Sequence, residues 1–186
     1  MATLSLHGPH WDYALTLYGQ PGVAEACLLL QDRAGVDVNV MLLALYAAAR
    51  RGIVLGAQDL RELDTEVQAW RQEIVLPLRA IRRRLKEGPA PAPSPDAEAL
   101  RTKVKGAELQ AEQIEQALLA AWVDRQPPPM TSAPGELNTL IDSVVEYFAR
   151  CSNVPSGTLT DPDVQRAKDA IARSAMASLN SDDAPV

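Results

Sequence analysis

One apolar stripe constrains the fold of this chain more than any other feature of its sequence. The stripe steps by three or four positions over residues 60–85, which is the period of an amphipathic α-helix. It comprises Leu60, Leu63, Val67, Trp70, Ile74, Leu78, Ile81 and Leu85. Pro77 lies inside this run, where it removes a backbone donor and clashes with the carbonyl of Glu73. Because the stripe keeps its phase through Pro77, we predict one kinked helix and not two helices.

A second stripe of the same period follows a proline-rich loop. Residues 88–95 read Gly-Pro-Ala-Pro-Ala-Pro-Ser-Pro, which excludes a helix there. Ser94 and Pro95 then suit the N-cap and the first position of a new helix. The apolar positions of that helix are Leu100, Val104, Ala107, Ala111, Ile114, Leu118 and Ala121 or Trp122. Together the two stripes predict a long antiparallel helical hairpin.

The rest of the chain also has helical character. Val is the only common β-branched residue, and no stretch alternates apolar and polar residues between hairpin turns. Further helices are predicted at 11–18, 21–35, 38–51, 135–150 and 162–179. We therefore predict an all-α fold, a helical bundle of about six to seven helices whose fourth and fifth helices form the proline-kinked hairpin.

A proline run divides the predicted helices into two parts. Pro127, Pro128 and Pro129 end the fifth helix, so residues 1–126 are predicted to form a helical core domain. Residues 127–186 are predicted to form a proline-rich linker and a C-terminal helical appendage. The last helix has a thin apolar stripe, which favours a weakly docked segment.

The amino-acid composition argues against several classes of protein. The 186 residues include 18 basic and 24 acidic ones, and the net charge of -6 excludes a uniformly basic nucleic-acid coat. Apolar runs stay far below the ~20 residues of a membrane span. Residues 1–10 lack the pattern of a secretory signal, so we expect a cytoplasmic protein. Two cysteines and two histidines are too few for a disulfide scaffold or a structural zinc site.

Three carboxylates share one face of the predicted fifth helix. Glu108, Glu112 and Glu115 stand at i, i+4 and i+7, as in some di-metal helical bundles. Such bundles also need Glu-x-x-His motifs on facing helices, whereas His7 and His10 lie near the start of the chain. We therefore interpret this face as a solvated acidic stripe, or as one paired with arginines. No metal ion, no cofactor and no catalytic residue is predicted, and an enzyme is less favoured than a binding protein.

Positive charge gathers at the predicted turn of the hairpin. Residues 76–105 hold eight basic and three acidic residues, a local net charge of +5. The eight form what we call the basic tip: Arg79, Arg82, Arg83, Arg84, Lys86, Arg101, Lys103 and Lys105. This tip is predicted to bind a protein partner or a second copy of the chain, and an anionic ligand is the alternative. Nucleic acid is disfavoured because no aromatic residue is interleaved with the arginines. A plain solvated face, with cations favoured near a helix C-terminus, is the remaining alternative.

Folding the hairpin about its loop predicts which side chains meet. Arg82 is expected beside Arg101, and Arg71 is expected near Glu108 and Glu112. This register gives the hairpin a basic turn and an ion-paired middle.

A second group of polar residues is embedded in the apolar N-terminal helices and in the fourth helix. This polar cluster comprises Trp11, Asp12, Gln31, Asp32, Asp37, Asn39, Trp70 and Arg71. Buried polar side chains need hydrogen-bond partners, and Asp37 suits the N-cap of the third helix. The cluster either cross-links the helices or lines a pocket of a small-ligand-binding or enzymatic domain.

Several short sequence words resemble a bacterial family of uncharacterised small all-helical proteins. They are Trp-Asp-Tyr-Ala-Leu at 11–15, Leu-Gln-Asp-Arg at 30–33 and Asp-Val-Asn at 37–39. The resemblance extends to about residue 122, through Trp70-Arg71 and the arginines that follow. It implies a bacterial, cytoplasmic, all-helical protein that carries a domain of unknown function, and it implies no reaction.

Overall fold

The structure is a computed structural model that describes residues 4–127 and 136–180, and those residues form helices and turns without a strand. The helices are α1 (Pro9–Tyr18), α2 (Val23–Ala34), α3 (Val38–Arg51), α4 (Ala57–Trp70), α5 (Leu76–Glu87), α6 (Pro95–Asp124), α7 (Glu136–Cys151) and α8 (Pro162–Asn180). A π-helical turn, Arg71–Val75, joins α4 to α5, and a 3-10 turn, Ser156–Thr160, precedes α8. Since α4, the π turn and α5 run without a break, the described residues hold seven helical rods. The all-α prediction is confirmed.

Local signals set the helix ends where the sequence placed them. Gly35 ends α2 with a φ of 68°, a left-handed conformation in which a glycine has no Cβ to clash. Asp37 caps α3, and its Oδ1 accepts the backbone N–H of Val40 at 3.1 Å. Ser94 caps α6 through the N–H of Ala97, also at 3.1 Å. Gly35 and Asp37 together fix the sharp turn between α2 and α3, which leaves the second oxygen of Asp37 available to other groups.

The distortion expected near Pro77 takes the form of the π turn. An α-helical bond from residue 77 to residue 73 cannot form, and the wider π-helical turn ends at Val75, two residues before the proline. The extra residue turns everything after it by about 100° around the helix axis. The prediction that the apolar stripe stays in phase is therefore wrong: Val75 is 1% exposed, whereas Ile74 and Ile81 are 36% and 49% exposed.

The hydrophobic core is one cluster with α3 near its centre. Seven of the eight helices contribute several side chains to it, and α7 and α8 do so through Val144, Phe148 and Ile171 among others. Three buried alanines of α8 complete the stripe that looks thin in the sequence, and they are Ala167, Ala172 and Ala175. The division of the chain into two folding parts at residue 127 stays a prediction. No helix in the described residues has the length and apolar content to cross a membrane.

Candidate functional site

A cleft of about 910 Å³ opens beside the π turn. Its walls come from α1, α2, the start of α3, the α4–α5 rod, α6 and the end of α7. The volume falls within the range of small-molecule sites, which is roughly 300–1,000 Å³. It is therefore the first place to look for function.

Arg71 holds the centre of the cleft floor. One guanidinium nitrogen lies 2.8 Å from Asp37 Oδ2, and the other lies 2.6 Å from Asp64 Oδ1. The hydroxyl of Tyr147 donates to the other oxygen of Asp64 at 2.9 Å, and the ring of Phe148 lies 5.7 Å from the guanidinium carbon. Burial acts against the charge of Arg71, but the two carboxylates raise its pKa above the usual value. This group ties the α2–α3 turn, α4 and α7 together.

A second ionic group lies about two turns further along the rod. Arg79 donates to Glu108 at 3.1 Å, to Glu112 at 2.7 Å and to Gln31 at 2.7 Å, and Arg82 also donates to Glu108. Burial acts to raise the pKa of Glu108, but the hydrogen bonds from Arg82 and Arg79 hold it below its usual value. For Glu112, burial outweighs the hydrogen bond from Arg79 and raises the pKa. The acidic stripe is thus paired with arginines, one of the two interpretations of its sequence.

The third member of that stripe forms no ion pair with a described side chain, although the charge of Arg71 acts on it. Glu115 is fully buried, and its Oε2 accepts from the side-chain amide of Asn39 at 2.7 Å. Gln116, also fully buried, donates to the backbone carbonyl of Asn39 at 3.0 Å. Within the described residues, no donor reaches Oε1 of Glu115 or Oε1 of Gln116. Burial first, and then the nearby charge of Asp37, raise the pKa of Glu115 to about 9, so this carboxyl is neutral at pH 7.

The rim of the cleft is apolar and exposed. Leu15, Leu28, Leu76 and Leu109 line it, and they are 53%, 46%, 43% and 48% exposed. Exposed leucines are ordinary when scattered, but four around one opening indicate a contact surface. The site combines an apolar rim with a floor of buried charges.

Six of the eight residues of the polar cluster do come together in the cleft. They are Trp11, Gln31, Asp32, Asp37, Asn39 and Arg71. Asp12 and Trp70 do not belong to it: Asp12 is exposed elsewhere on α1, and Trp70 donates its indole N–H to the carbonyl of Ala111 at 3.0 Å. Cross-linking and lining a pocket are not exclusive here, because Asp37 caps α3, binds Arg71 and faces the cleft.

The basic tip divides between the cleft and the turn of the hairpin. Four of its members line the cleft: Arg79, Arg82, Arg83 and Lys105. Arg82 and Arg101 line one small cavity at the turn, as the predicted register requires. Arg101 pairs with Glu98 at 2.7 Å, while Arg84, Lys86 and Lys103 are exposed and form no ion pair with a described residue.

The prediction that Arg71 pairs with Glu108 and Glu112 of the acidic stripe is wrong. Arg71 binds Asp37 and Asp64, and Arg79 and Arg82 take its place beside Glu108. Helical side chains lean toward the N-terminus of their own helix, so an arginine of α5 reaches back along the rod and away from the turn.

Sequence reasoning missed Asp64 and Tyr147, whose roles depend on tertiary contacts.

Cys27 is buried in the core, and burial raises the pKa of its thiol to about 12, so it is not a reactive nucleophile. No group of three His, Cys, Asp or Glu side chains in residues 4–127 and 136–180 could hold a metal ion.

Replacing Arg71 with Met should cost about 3 kcal/mol in the free energy of unfolding, because it leaves two buried carboxylates unpaired. The side chains of Arg71, Asp37 and Asp64 are only 13%, 7% and 9% exposed. Urea denaturation measures the loss. As a matched control, Arg125→Met breaks an exposed pair with Glu66 and should cost less than about 1 kcal/mol. Equal losses in the two variants would contradict the central role of Arg71.

Glu115 should make stability fall as pH rises. The unfolded chain loses this proton near a pKa of 4.5, whereas the native protein keeps it to about 9. Between these values the native state binds more protons, so the free energy of unfolding declines by up to about 1.4 kcal/mol per pH unit from this group. Glu115→Gln removes this contribution. The free energy of unfolding of the variant should therefore rise relative to that of the wild type between about pH 5 and about pH 8. Parallel stability curves in urea titrations would show that Glu115 is ionised in the fold.

Among the comparisons with known proteins, only the one with family models gives a match. No curated protein and no solved structure matches the chain. A family model described as "Protein of unknown function (DUF2390)" matches residues 9–131, which include α1 to α6 and with them Asp37, Arg71 and Glu115. This match confirms the resemblance to a family of unknown function, and the chain belongs to the family of proteins of unknown function DUF2390.

Proposed function

We propose that this protein is a non-catalytic binding protein and that the cleft is its binding site. The observation that carries the proposal is the combination of four exposed leucines around the opening with a buried polar floor. A recognition site needs apolar area for affinity and a few fixed polar groups for orientation. We further expect it to act in the cytoplasm of a bacterium, as the family resemblance implies.

The ion pairs that hold the polar residues of the cleft floor favour binding over catalysis. Arg71, Arg79 and Glu108 are each held by two or more side-chain partners, which makes them rigid. A catalytic nucleophile or base has to be free to exchange protons with a substrate. The engaged side chains instead supply a preformed surface that can orient a bound molecule.

An aspartate at the rim should weaken binding in the cleft. Leu109→Asp removes apolar area and should lower the affinity for the neutral dye Nile red by about tenfold, the effect of losing part of one leucine contact. The measurement is dye fluorescence against protein concentration. Leu100→Asp is the matched control, because Leu100 lies on the same helix and is 50% exposed but does not line the cleft.

The same pair of variants tests for a natural ligand. Each protein is purified from its native cells, denatured and extracted, and the small molecules are identified by mass spectrometry. A compound retained by the wild type and by Leu100→Asp but lost from Leu109→Asp supports the proposal. Equal dye binding by both variants contradicts it.

A second candidate function is the docking of an acidic protein partner at the turn of the hairpin. A cavity of about 290 Å³ there is lined by Arg82, Arg83, Lys86, Arg101 and one acidic residue, Glu87. The excess of cations favours an anionic group. This proposal retains the basic tip but centres it on Lys86 and Arg101, which do not line the cleft, whereas Arg82 and Arg83 line both cavities.

Charge reversal at Lys86 tests this second candidate. Lys86→Glu should weaken the binding of a hexaglutamate peptide by about threefold or more, the scale of an exposed ion pair, and added salt should weaken it further. Isothermal titration calorimetry measures the affinity, with Arg61→Glu on the exposed face of α4 as the control. If both variants bind equally, or if the peptide does not bind the wild type, the tip is only a solvated face.

A further inference from the structure

One side of the hairpin formed by α5 and α6 carries an apolar face that no other described element covers. Helix α5 packs mainly against α6, and none of its residues is buried. We call this side the outer face, and it consists of Ile74, Leu78, Ile81, Leu85, Leu100, Val104 and Ala107. Ile74, Ile81 and Leu100 are 36%, 49% and 50% exposed. A contiguous exposed aliphatic surface of this kind marks an interaction site.

The outer face is separate from the cleft. Its residues on each helix are three or four positions apart, so they share one side of that helix. Ile81 and Arg83 are two residues apart, which places them about 200° apart around the helix axis. Arg83 lines the cleft, as do Lys105 and Leu109 of α6, whereas no member of the outer face does. The binding site proposed above therefore does not explain the outer face.

Two charges of opposite sign flank the outer face. Glu73 lies near its end at the π turn, and Arg84 lies near its end at the turn of the hairpin. The two residues are eleven positions apart in the sequence, or about three helical turns, so they lie on the same side of the rod. Both are exposed, and neither forms an ion pair with a described residue. A surface whose charge changes sign along its length is complementary to a copy of itself laid in the opposite direction.

We propose that the outer face binds a second copy of this chain, with the two hairpins antiparallel about a two-fold axis. The axis lies at the level of residues 79 and 80, so Ile81 of each copy packs against Leu78 of the other. Each Glu73 then lies near Arg84 of the other copy, which gives two equivalent ion pairs across the interface. The four helices form a bundle whose core is the two outer faces.

The charge of the hairpin favours this direction over the parallel one. Residues 76–105 carry a local net charge of +5, and a parallel pair brings two such turns together. The antiparallel pair keeps them apart. The interface is short, because α5 has 12 residues and is about 18 Å long. We therefore expect a weak dimer with a dissociation constant of about 10–100 µM, at the low end of specific interfaces.

Sedimentation equilibrium over chain concentrations from about 1 µM to about 500 µM tests the proposal. The mean mass of the wild type should rise from that of one chain towards that of two. Ile81→Asp places a charge in the middle of the interface and should raise the dissociation constant about tenfold or more. Leu109→Asp is the matched control, because Leu109 is 48% exposed but lies on the cleft side of the hairpin, and it should dimerise as the wild type does.

The flanking charges test the direction of the pairing. Glu73→Lys and Arg84→Glu each bring like charges together across the axis, so each variant alone should dimerise about tenfold more weakly than the wild type. An equimolar mixture of the two variants should regain the wild-type affinity. In the mixed dimer the introduced lysine meets the introduced glutamate, and the unchanged Glu73 meets the unchanged Arg84. If the mixture associates no better than either variant alone, the antiparallel arrangement is wrong.

The outcomes separate this inference from the function proposed for the cleft. A wild type that stays monomeric over the whole concentration range overturns the dimer, and so does a dimer that Ile81→Asp leaves intact. Leu100→Asp should weaken the dimer and keep Nile red binding, whereas Leu109→Asp should keep the dimer and weaken dye binding. A wild type that dimerises but binds no dye overturns the function of the cleft alone.

Discussion

The cleft depends on a single backbone constraint, the π turn that precedes Pro77. A proline has no N–H to donate, and its ring excludes the carbonyl four residues earlier, so the regular α-helical pattern cannot continue there. One extra residue in the turn rotates the following helix by about 100°. Within the turn Val75 is buried and Ile74 is exposed, and the rotation of α5 brings Arg79 and Arg82 to face α6 while Ile81 faces solvent. An undistorted rod would have placed aliphatic side chains against α6. Local π-helical turns are often found at functional sites.

A network of buried charges is a poor way to gain stability alone. Taking a charge out of water costs several kcal/mol, and its attraction to a partner often does no more than offset that cost. Well-packed aliphatic residues between α5 and α6 would stabilise the hairpin at least as well. The position of the arginines makes better sense as recognition: Arg71 and Arg79 fix the carboxylates of the floor in place, and the exposed Leu76 and Leu109 lie at its edge. Binding is what this arrangement favours.

The sequence predicts those features of the fold that local chemistry decides. Asp37 and Ser94 are caps whatever the rest of the chain does, and the helices they begin are where the sequence placed them. The cleft was predicted only in part, because six residues of the polar cluster could be recognised as polar groups in apolar helices. The partners could not be predicted: Asp64 and Tyr147 are 83 residues apart, and only tertiary packing brings them together. The π turn was the remaining obstacle, since the apolar period in the sequence runs straight through it.

The helix α7 helps to position the charged residues of the cleft floor, which lie on the helices that the family model matches. Tyr147 donates to Asp64, Asp64 accepts from Arg71, and Arg71 holds Asp37. Asp37 is in turn the charge that acts, together with burial, to keep the proton on Glu115. A displacement of α7 therefore changes the positions of Arg71 and Asp37, and with them the charges that act on Glu115. The wall of the cleft and the protonation of its floor are one system, although α7 lies outside the residues that the family model matches.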